Sequence, residues 1–292
     1  MAFEKFDLQS NTDQLNLGAC RWPLAPGTRA KALVVISHGM GEHAKRYDEF
    51  ATSLNRAGFV VYAVDHRGHG ASPGPRGFGD FGLGGWNALV DDLAQVVRYA
   101  QAENPHLNTA LFGHSMGSFA AQQFLFNHHM LINAVILSGT AALDKLLDAM
   151  ASAEESAEGL ASFNAGFEPA RTGYEWLSRD VNEVEKYVVD PFCGYDLSPE
   201  SMMSLASQAA MMANSVEINK ISKELPILLL AGDKDPVTGR LEFLKVLQQR
   251  YQNAGIKCID TKFYPDGRHE MLNEINRQDV YVDIREWLTA NL

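Results

Sequence analysis

The 292-residue chain is short of cysteine, of positive charge and of long apolar runs, and each shortage removes a class of function. Its three cysteines, Cys20, Cys193 and Cys258, are an odd set with no short spacing. That pattern makes neither a disulfide framework nor a zinc site, and it is expected of a protein kept in a reducing cytoplasm. Lys and Arg number 25 against 36 Asp and Glu, a net charge of −11. Phosphate binding rests on clustered Lys and Arg, so no nucleic-acid partner is expected. No window of about 18 apolar residues occurs, so nothing is expected to span a bilayer. The opening Met1-Ala-Phe-Glu-Lys-Phe-Asp7 is charged and has no apolar h-region, so no secretory signal is expected. Repeats, low-complexity tracts and flexible linkers are missing as well.

Two patterns invite a cofactor and fail on context. His38, His43, His66 and His69 lie near one another in sequence, but no His-Glu-x-x-His spacing occurs. These side chains are expected to bond loop backbone, and no metal is expected. Gly77-x-Gly79-x-x-Gly82 matches the dinucleotide glycine pattern literally, yet it follows a loop rather than a strand, so no cofactor is expected there.

What is present is a core and a rhythm. At 46% hydrophobic content the chain can bury a large core. Residues 1–30 read as one or two edge strands closed by Pro/Gly turns. Continuous apolar, β-branched runs at 32–37, 59–64, 109–112, 134–138 and 226–231 suit strands buried on both faces, and 257–264 reads as a last strand. Helical spacing at 46–57, 86–103, after Ser115, at 239–253 and at 279–292 alternates with them, which predicts a mostly parallel sheet with helices on both faces. From about Gly139 to Asn219 the rhythm breaks into a helical stretch rich in Ala, Ser, Met and Glu. The expected organisation is therefore a core of 1–139 and 220–292, with 140–219 a helical cap inserted after the sixth strand.

The chemistry centres on Gly113-His-Ser-Met-Gly117, where an apolar run stops and a helical segment begins. Gly-x-Ser-x-Gly at such a junction is the frame of a nucleophile elbow, with Ser115 exposed at the turn. The flanking glycines answer a steric need, since a Cβ at either position would meet backbone. A serine nucleophile needs a base and an acid that orients the base, here in the chain order Ser, Asp or Glu, His at successive strand ends. Asp235, two residues past Asp233, follows the 226–231 run and is the preferred acid; Asp233 is the rival. His269 follows the last strand and is the base candidate. The backbone N–H groups of Met40 and Met116 are the expected oxyanion donors. Glu42 and His43 read as loop braces and His114 as structural.

The methionines and aromatics of the insertion mostly read as packing for its own small core. A cap over a serine site must also show apolar surface to the pocket, and flexible methionines suit a lipid chain. Met202, Met203, Met211 and Phe192 are the candidates for substrate contact.

Five stretches, 38–43, 65–72, 113–117, 232–236 and 268–271, together resemble the monoacylglycerol lipase and lysophospholipase branch of the α/β-hydrolase superfamily. The resemblance covers nearly the whole chain outside the cap. It implies an α/β-hydrolase fold, the triad Ser115, Asp235 and His269, the oxyanion amides of Met40 and Met116, no cofactor or metal, and a cap that shapes an acyl tunnel and touches membrane surfaces. Ser118 departs from the second glycine usual after the elbow. The implied function is a cytoplasmic serine esterase acting on an acyl ester or lipid. Two alternatives stand beside it. An aminopeptidase or thioesterase would share the triad, and a peptidase would need an acidic anchor, for which Glu154, Glu155, Glu158, Glu168 and Glu175 are available. A non-catalytic binding protein would keep the fold alone.

Overall fold

The computed structural model describes residues 3–152 and 159–292. Eight strands form one sheet in the order β1-β2-β4-β3-β5-β6-β7-β8. They are β1 (Glu4–Gln9), β2 (Asn16–Trp22), β3 (Ala32–Ser37), β4 (Phe59–Val64), β5 (Asn108–His114), β6 (Ala134–Ser138), β7 (Ile227–Gly232) and β8 (Ile259–Tyr264). β2 runs antiparallel to both β1 and β4, and the pairs from β4 through to β8 are parallel. The N-terminal hairpin thus supplies one edge strand and one internal strand, because β2 has a hydrogen-bonded neighbour on each side.

The unbroken apolar runs have a direct cause. In β3, Leu33 and Val35 enter one core while Val34 and Ile36 enter the other, and β5, β6 and β7 alternate in the same way. Side chains on successive residues point to opposite faces, so a strand covered on both sides has no polar phase. α1 (Asp48–Arg56) and α10 (Arg277–Asn291) cover one face; α2 (Gly85–Glu103), α3 (Met116–His128) and α9 (Glu242–Asn253) cover the other.

Two expected helices begin later than their spacing suggests. Residues 44–47 form a 3₁₀ turn before α1. Before α9, Gly239, Arg240 and Leu241 all have positive φ, so the regular helix waits until Glu242.

Between β6 and β7 the chain is helical: α4 (Leu143–Ser152), a 3₁₀ turn Gly159–Asn164, α5 (Val181–Val189), α6 (Pro199–Ala206), α7 (Ala209–Met212) and α8 (Ser215–Ile218). Here packing departs from expectation. Leu143, Leu160, Trp176, Tyr187, Leu205 and Met212 do not form a small separate core; they are continuous with the apolar cluster on the α2–α3 face of the sheet. Among the described residues no helix is long and apolar enough to cross a membrane.

Candidate active site

Ser115 sits just past the C-terminal end of β5, between the ends of β3 and β6. Its backbone has φ 51° and ψ −123°, a strained conformation for a residue with a side chain. The strain is held by packing. A Cβ on Gly117 would collide with the carbonyl oxygens of Ser37 and His38 at the end of β3, so α3 leaves the elbow in contact with the neighbouring strand. Ser115 N–H donates to Ser138 O at 2.9 Å, which ties the elbow to β6. Ser118 fills the place of the usual glycine without cost: it is fully buried, and its hydroxyl donates to Ser115 O at 2.6 Å.

β7 and β8 deliver the other two residues. Lys234 N–H donates to Gly267 O at 2.9 Å, which brings the two strand-end loops together. There His269 Nδ1 lies 2.9 Å from Asp235 Oδ2, with both side chains essentially excluded from solvent. The other carboxylate oxygen of Asp235 accepts from Val237 N–H at 2.9 Å, so the acid is fixed at both ends. Asp233 faces elsewhere: its Oδ1 accepts from Asp266 N–H at 2.8 Å, and its side chain is 35% exposed. Among the described residues, the hydrogen bonds of this constellation join Asp235 to His269 and do not continue to the Ser115 hydroxyl. Such bonds commonly tighten only once substrate is bound.

Two rings crowd His269. His114 and Trp176 have ring centroids 4.6 Å and 4.9 Å from it, and Gly139 passes beside it. Burial, reinforced by the neighbouring His269, lowers the His114 pKa to about 4. Trp176 comes from the inserted segment. Its backbone oxygen accepts from His269 N–H at 3.2 Å, and Leu177 O accepts from Glu270 N–H at 2.8 Å.

The loop after β3 crosses over Ser115 so closely that a Cβ on Gly39 would lie 3.1 Å from Ser115 Cβ. Glu42 accepts from Gly39 N–H at 2.6 Å and from Tyr47 O–H at 2.8 Å. Arg46 joins Glu42 at 2.7 Å and Glu270 at 2.6 and 2.8 Å, so one guanidinium links the loop to the residue after His269. Burial pushes the Glu42 pKa up, but Arg46, two histidines and the Gly39 amide outweigh it and hold the value at about 2. A water-sized void of about 10 Å³ lies among these groups and His114. Glu42 is thus a brace, as its position predicts; its partnership with Glu270 across 228 positions had no local signal.

The remaining loop motifs are structural. His38 accepts from His66 N–H at Nε2 and binds Gly39 O through Nδ1; burial lowers its pKa to about 4. Asp65 accepts from Ala44 and Ala71 N–H, while Arg67 is buried against Asp92, Asp13 and Phe81 O. Residues 77–82 lie in the loop between β4 and α2, where Gly79 packs on the Asp196 carbonyl.

Of the substrate-contact candidates, Met202 and Met211 are half-buried against the main core, Met203 is 70% exposed, and Phe192 is exposed and packs edge-on to His43. The contacts around His269 are made by Trp176 and His114 instead, a role that nothing in the local sequence around Trp176 announces. Glu154, Glu155 and Glu158 lie outside the described residues. Glu168 is exposed, and Glu175 is spent on its own loop, accepting from the amides of Arg171, Thr172 and Gly173 and from Asn164.

Comparisons with known proteins identify relatives of the chain. A family model described as serine aminopeptidase, S33, matches residues 28–276. The monoacylglycerol lipase of Mycolicibacterium smegmatis is 29% identical over 272 residues, covering 91% of each chain. The monoglyceride lipase of Rattus norvegicus is 30% identical over 273 residues, covering 88% of this chain and 84% of the rat protein. The structure of a highly thermostable carboxyl esterase from Bacillus coagulans superposes with a TM-score of 0.85 at 28% identity, over 100% of this chain and 99% of that one.

Proposed function

This chain belongs to the serine aminopeptidase S33 family and has the α/β-hydrolase fold, and from that premise we infer that it cleaves carboxylic esters of lipids, monoacylglycerols foremost, through an acyl-enzyme on Ser115. The observation that carries the reading is the buried Asp235–His269 pair at the β7 and β8 ends, with the imidazole 4.6 Å from the ring of His114, the residue before the strained Ser115.

His269 takes the hydroxyl proton as Ser115 Oγ attacks the ester carbonyl, and Asp235 keeps the imidazole oriented and stabilises its charged form. The tetrahedral oxyanion is held by two backbone amides. Met116 sits at the start of α3, where the first N–H groups have no intrahelical acceptor. Met40 follows Gly39, whose own N–H is taken by Glu42. Each donor is worth on the order of 10²–10³ in rate. Collapse breaks the ester C–O bond and passes the proton from His269 to the leaving alcohol. Water, deprotonated by His269, then releases the acid. No step requires a metal or cofactor.

The helical segment 140–219 acts in this reading as a cap over the acyl-binding side, with the rest of the chain as the core. Exposed Val189, Met203 and Val216 on that segment support contact with lipid surfaces from a cytoplasmic setting. The aminopeptidase alternative would have to take its acidic anchor from a residue other than Glu175, whose two carboxylate oxygens are engaged by residues 164 and 171–173. Ser115→Ala should fold normally and lose at least about 10⁴-fold of monoacylglycerol and p-nitrophenyl ester turnover, together with labelling by a fluorophosphonate. Retained turnover in that variant would remove the mechanism, and preference for aminoacyl amides over monoacylglycerols would remove the substrate class.

A further inference from the structure

His43 stands apart from the serine chemistry and faces the inserted segment. Its Nε2 is 3.0 Å from Asp190 Oδ2. With the Cys193 sulfur, these ligand atoms all lie within 4.8 Å of one another. His43 comes from the loop after β3, whereas Asp190 and Cys193 come from the turn that ends α5. No ligand spacing marks the trio in sequence, because 147 positions separate His43 from Asp190.

The scaffold around the trio is fixed. Gly194 N–H and Tyr187 O–H both donate to Gly41 O, at 3.0 and 2.9 Å, and Cys193 N–H donates to Asp190 O at 3.0 Å. Asp190 Oδ1 is taken by Phe192 N–H at 2.9 Å, which leaves Oδ2 toward His43. His43 is buried, and Asp190 and Cys193 are half-buried, so solvent reaches the trio from one side. Zinc bonds of about 2.0–2.3 Å in a tetrahedral arrangement set ligand atoms roughly 3.3–3.8 Å apart. Ligation therefore requires the atoms, now within 4.8 Å of one another, to draw together by side-chain rotation.

We propose that His43, Asp190 and Cys193 bind Zn²⁺ or a similar borderline transition metal, and so staple the inserted segment to the loop that crosses Ser115. One imidazole, one carboxylate and one thiolate with an open fourth position suit zinc and disfavour magnesium or calcium, which take oxygen ligands only. Burial pushes the Cys193 thiol up, Arg46 opposes this, and Glu42, Asp190 and Glu270 add to it. Metal binding therefore releases the thiol proton, and affinity falls as pH falls.

The test is a Co²⁺ titration of the chelator-treated full chain, followed by displacement with Zn²⁺. The expected result is one ion per chain with a thiolate-to-cobalt charge-transfer band, lost in Cys193→Ser and in His43→Gln and kept in Cys258→Ser. Cys258 is the exposed thiol and controls for adventitious binding. Zinc at about 100 times its Kd should raise the thermal midpoint by about 4 °C in the unaltered chain and leave Cys193→Ser unmoved. Metal-free melting of each variant shows that it is folded; if Cys193→Ser is not, Cys193→Ala takes its place. A band that survives loss of Cys193, a band that vanishes with Cys258, or a folded chain that takes up no metal would overturn the site. Binding is read without substrate, so the outcome is independent of the esterase reading.

Discussion

Replacing Arg46 by methionine tests whether the network behind the serine is a single electrostatic unit. Arg46 is the cation that faces both Glu42 and Glu270, and all three side chains are nearly solvent-free, at 11%, 4% and 6% exposure. Methionine preserves most of the length, including packing on the Tyr187 ring, where the guanidinium now lies 4.8 Å from the centroid. What it removes is the charge. A Glu42 pKa held at about 2 against the usual 4.5 corresponds to about 3 kcal/mol of stability at neutral pH. Arg46 is one of several groups that lower this pKa, and breaking a buried pair by deleting one partner costs about 3–5 kcal/mol, which sets the scale of the expected loss. The pH dependence has a definite sign. In the unaltered chain the Glu42 contribution is complete above about 4.5 and is lost as pH falls toward 2. In the variant, burial without Arg46 raises both carboxyl pKa values above those of the unfolded chain. The native variant then binds more protons than the unfolded one, and its deficit shrinks as pH falls from 7 toward 5. Urea unfolding of both proteins at pH 7 and pH 5 measures this directly, and Glu42→Gln added to Arg46→Met should recover part of the loss at pH 7. A variant as stable as the parent, or a deficit that grows on acidification, would refute the reasoning.

Other outcomes follow from single contacts. Asp235→Asn should cut kcat by about 10⁴-fold, while Asp233→Asn, whose side chain only caps Asp266 N–H, should stay within a few-fold in the same ester assay. Gly117→Ala drives a methyl group into the Ser37 and His38 carbonyls, so it should cost about 1–3 kcal/mol in unfolding and displace the elbow, with activity falling further than stability. His38 and His114 are held neutral to about pH 4, whereas the unfolded chain protonates its histidines near 6.5. Stability should therefore fall as pH drops from about 6.5 to 4, and thermal midpoints across that interval check it.

The parts of the molecule that follow from local physics were readable from residues alone. The two-faced strands appear as unbroken apolar runs because neither face meets water. The candidate triad could be picked out because each proposed member sits just past such a run, and Gly-x-Ser-x-Gly marks a turn tight enough to exclude two side chains. The preference for Asp235 over Asp233 rests on reach around Gly232; in the structure Asp235 bonds His269 and Asp233 bonds Asp266 N–H. Other features depend on contacts between distant segments and leave no periodic trace. Glu42 and Glu270 meet through Arg46, Trp176 stacks on His269, and the insertion's apolar residues merge with the main core. β2 is internal because β4 accepts it as a neighbour, a fact about pairing that its own seven residues do not carry. The histidines gave the most misleading local signal: His38 and His69 bond loop backbone, His66 bonds the Ser37 hydroxyl, and His43 finds its neighbours 147 and 150 positions away.

The two backbone hydrogen bonds from His269 and Glu270 to Trp176 and Leu177 also bear on engineering. They make residues 176 and 177 a short rail on which His269 is mounted, so a transplant of the whole segment between β6 and β7 from a relative would exchange that mounting along with the rest of the segment. A transplant that ends before Tyr174 and resumes after Arg179 would keep the rail, the Arg268 contacts to Glu175 and Ser178, and the Arg179–Glu274 pair with the host. The segment is then open to recombination in two separate cassettes, one on each side of a six-residue strip that has to stay native to its histidine.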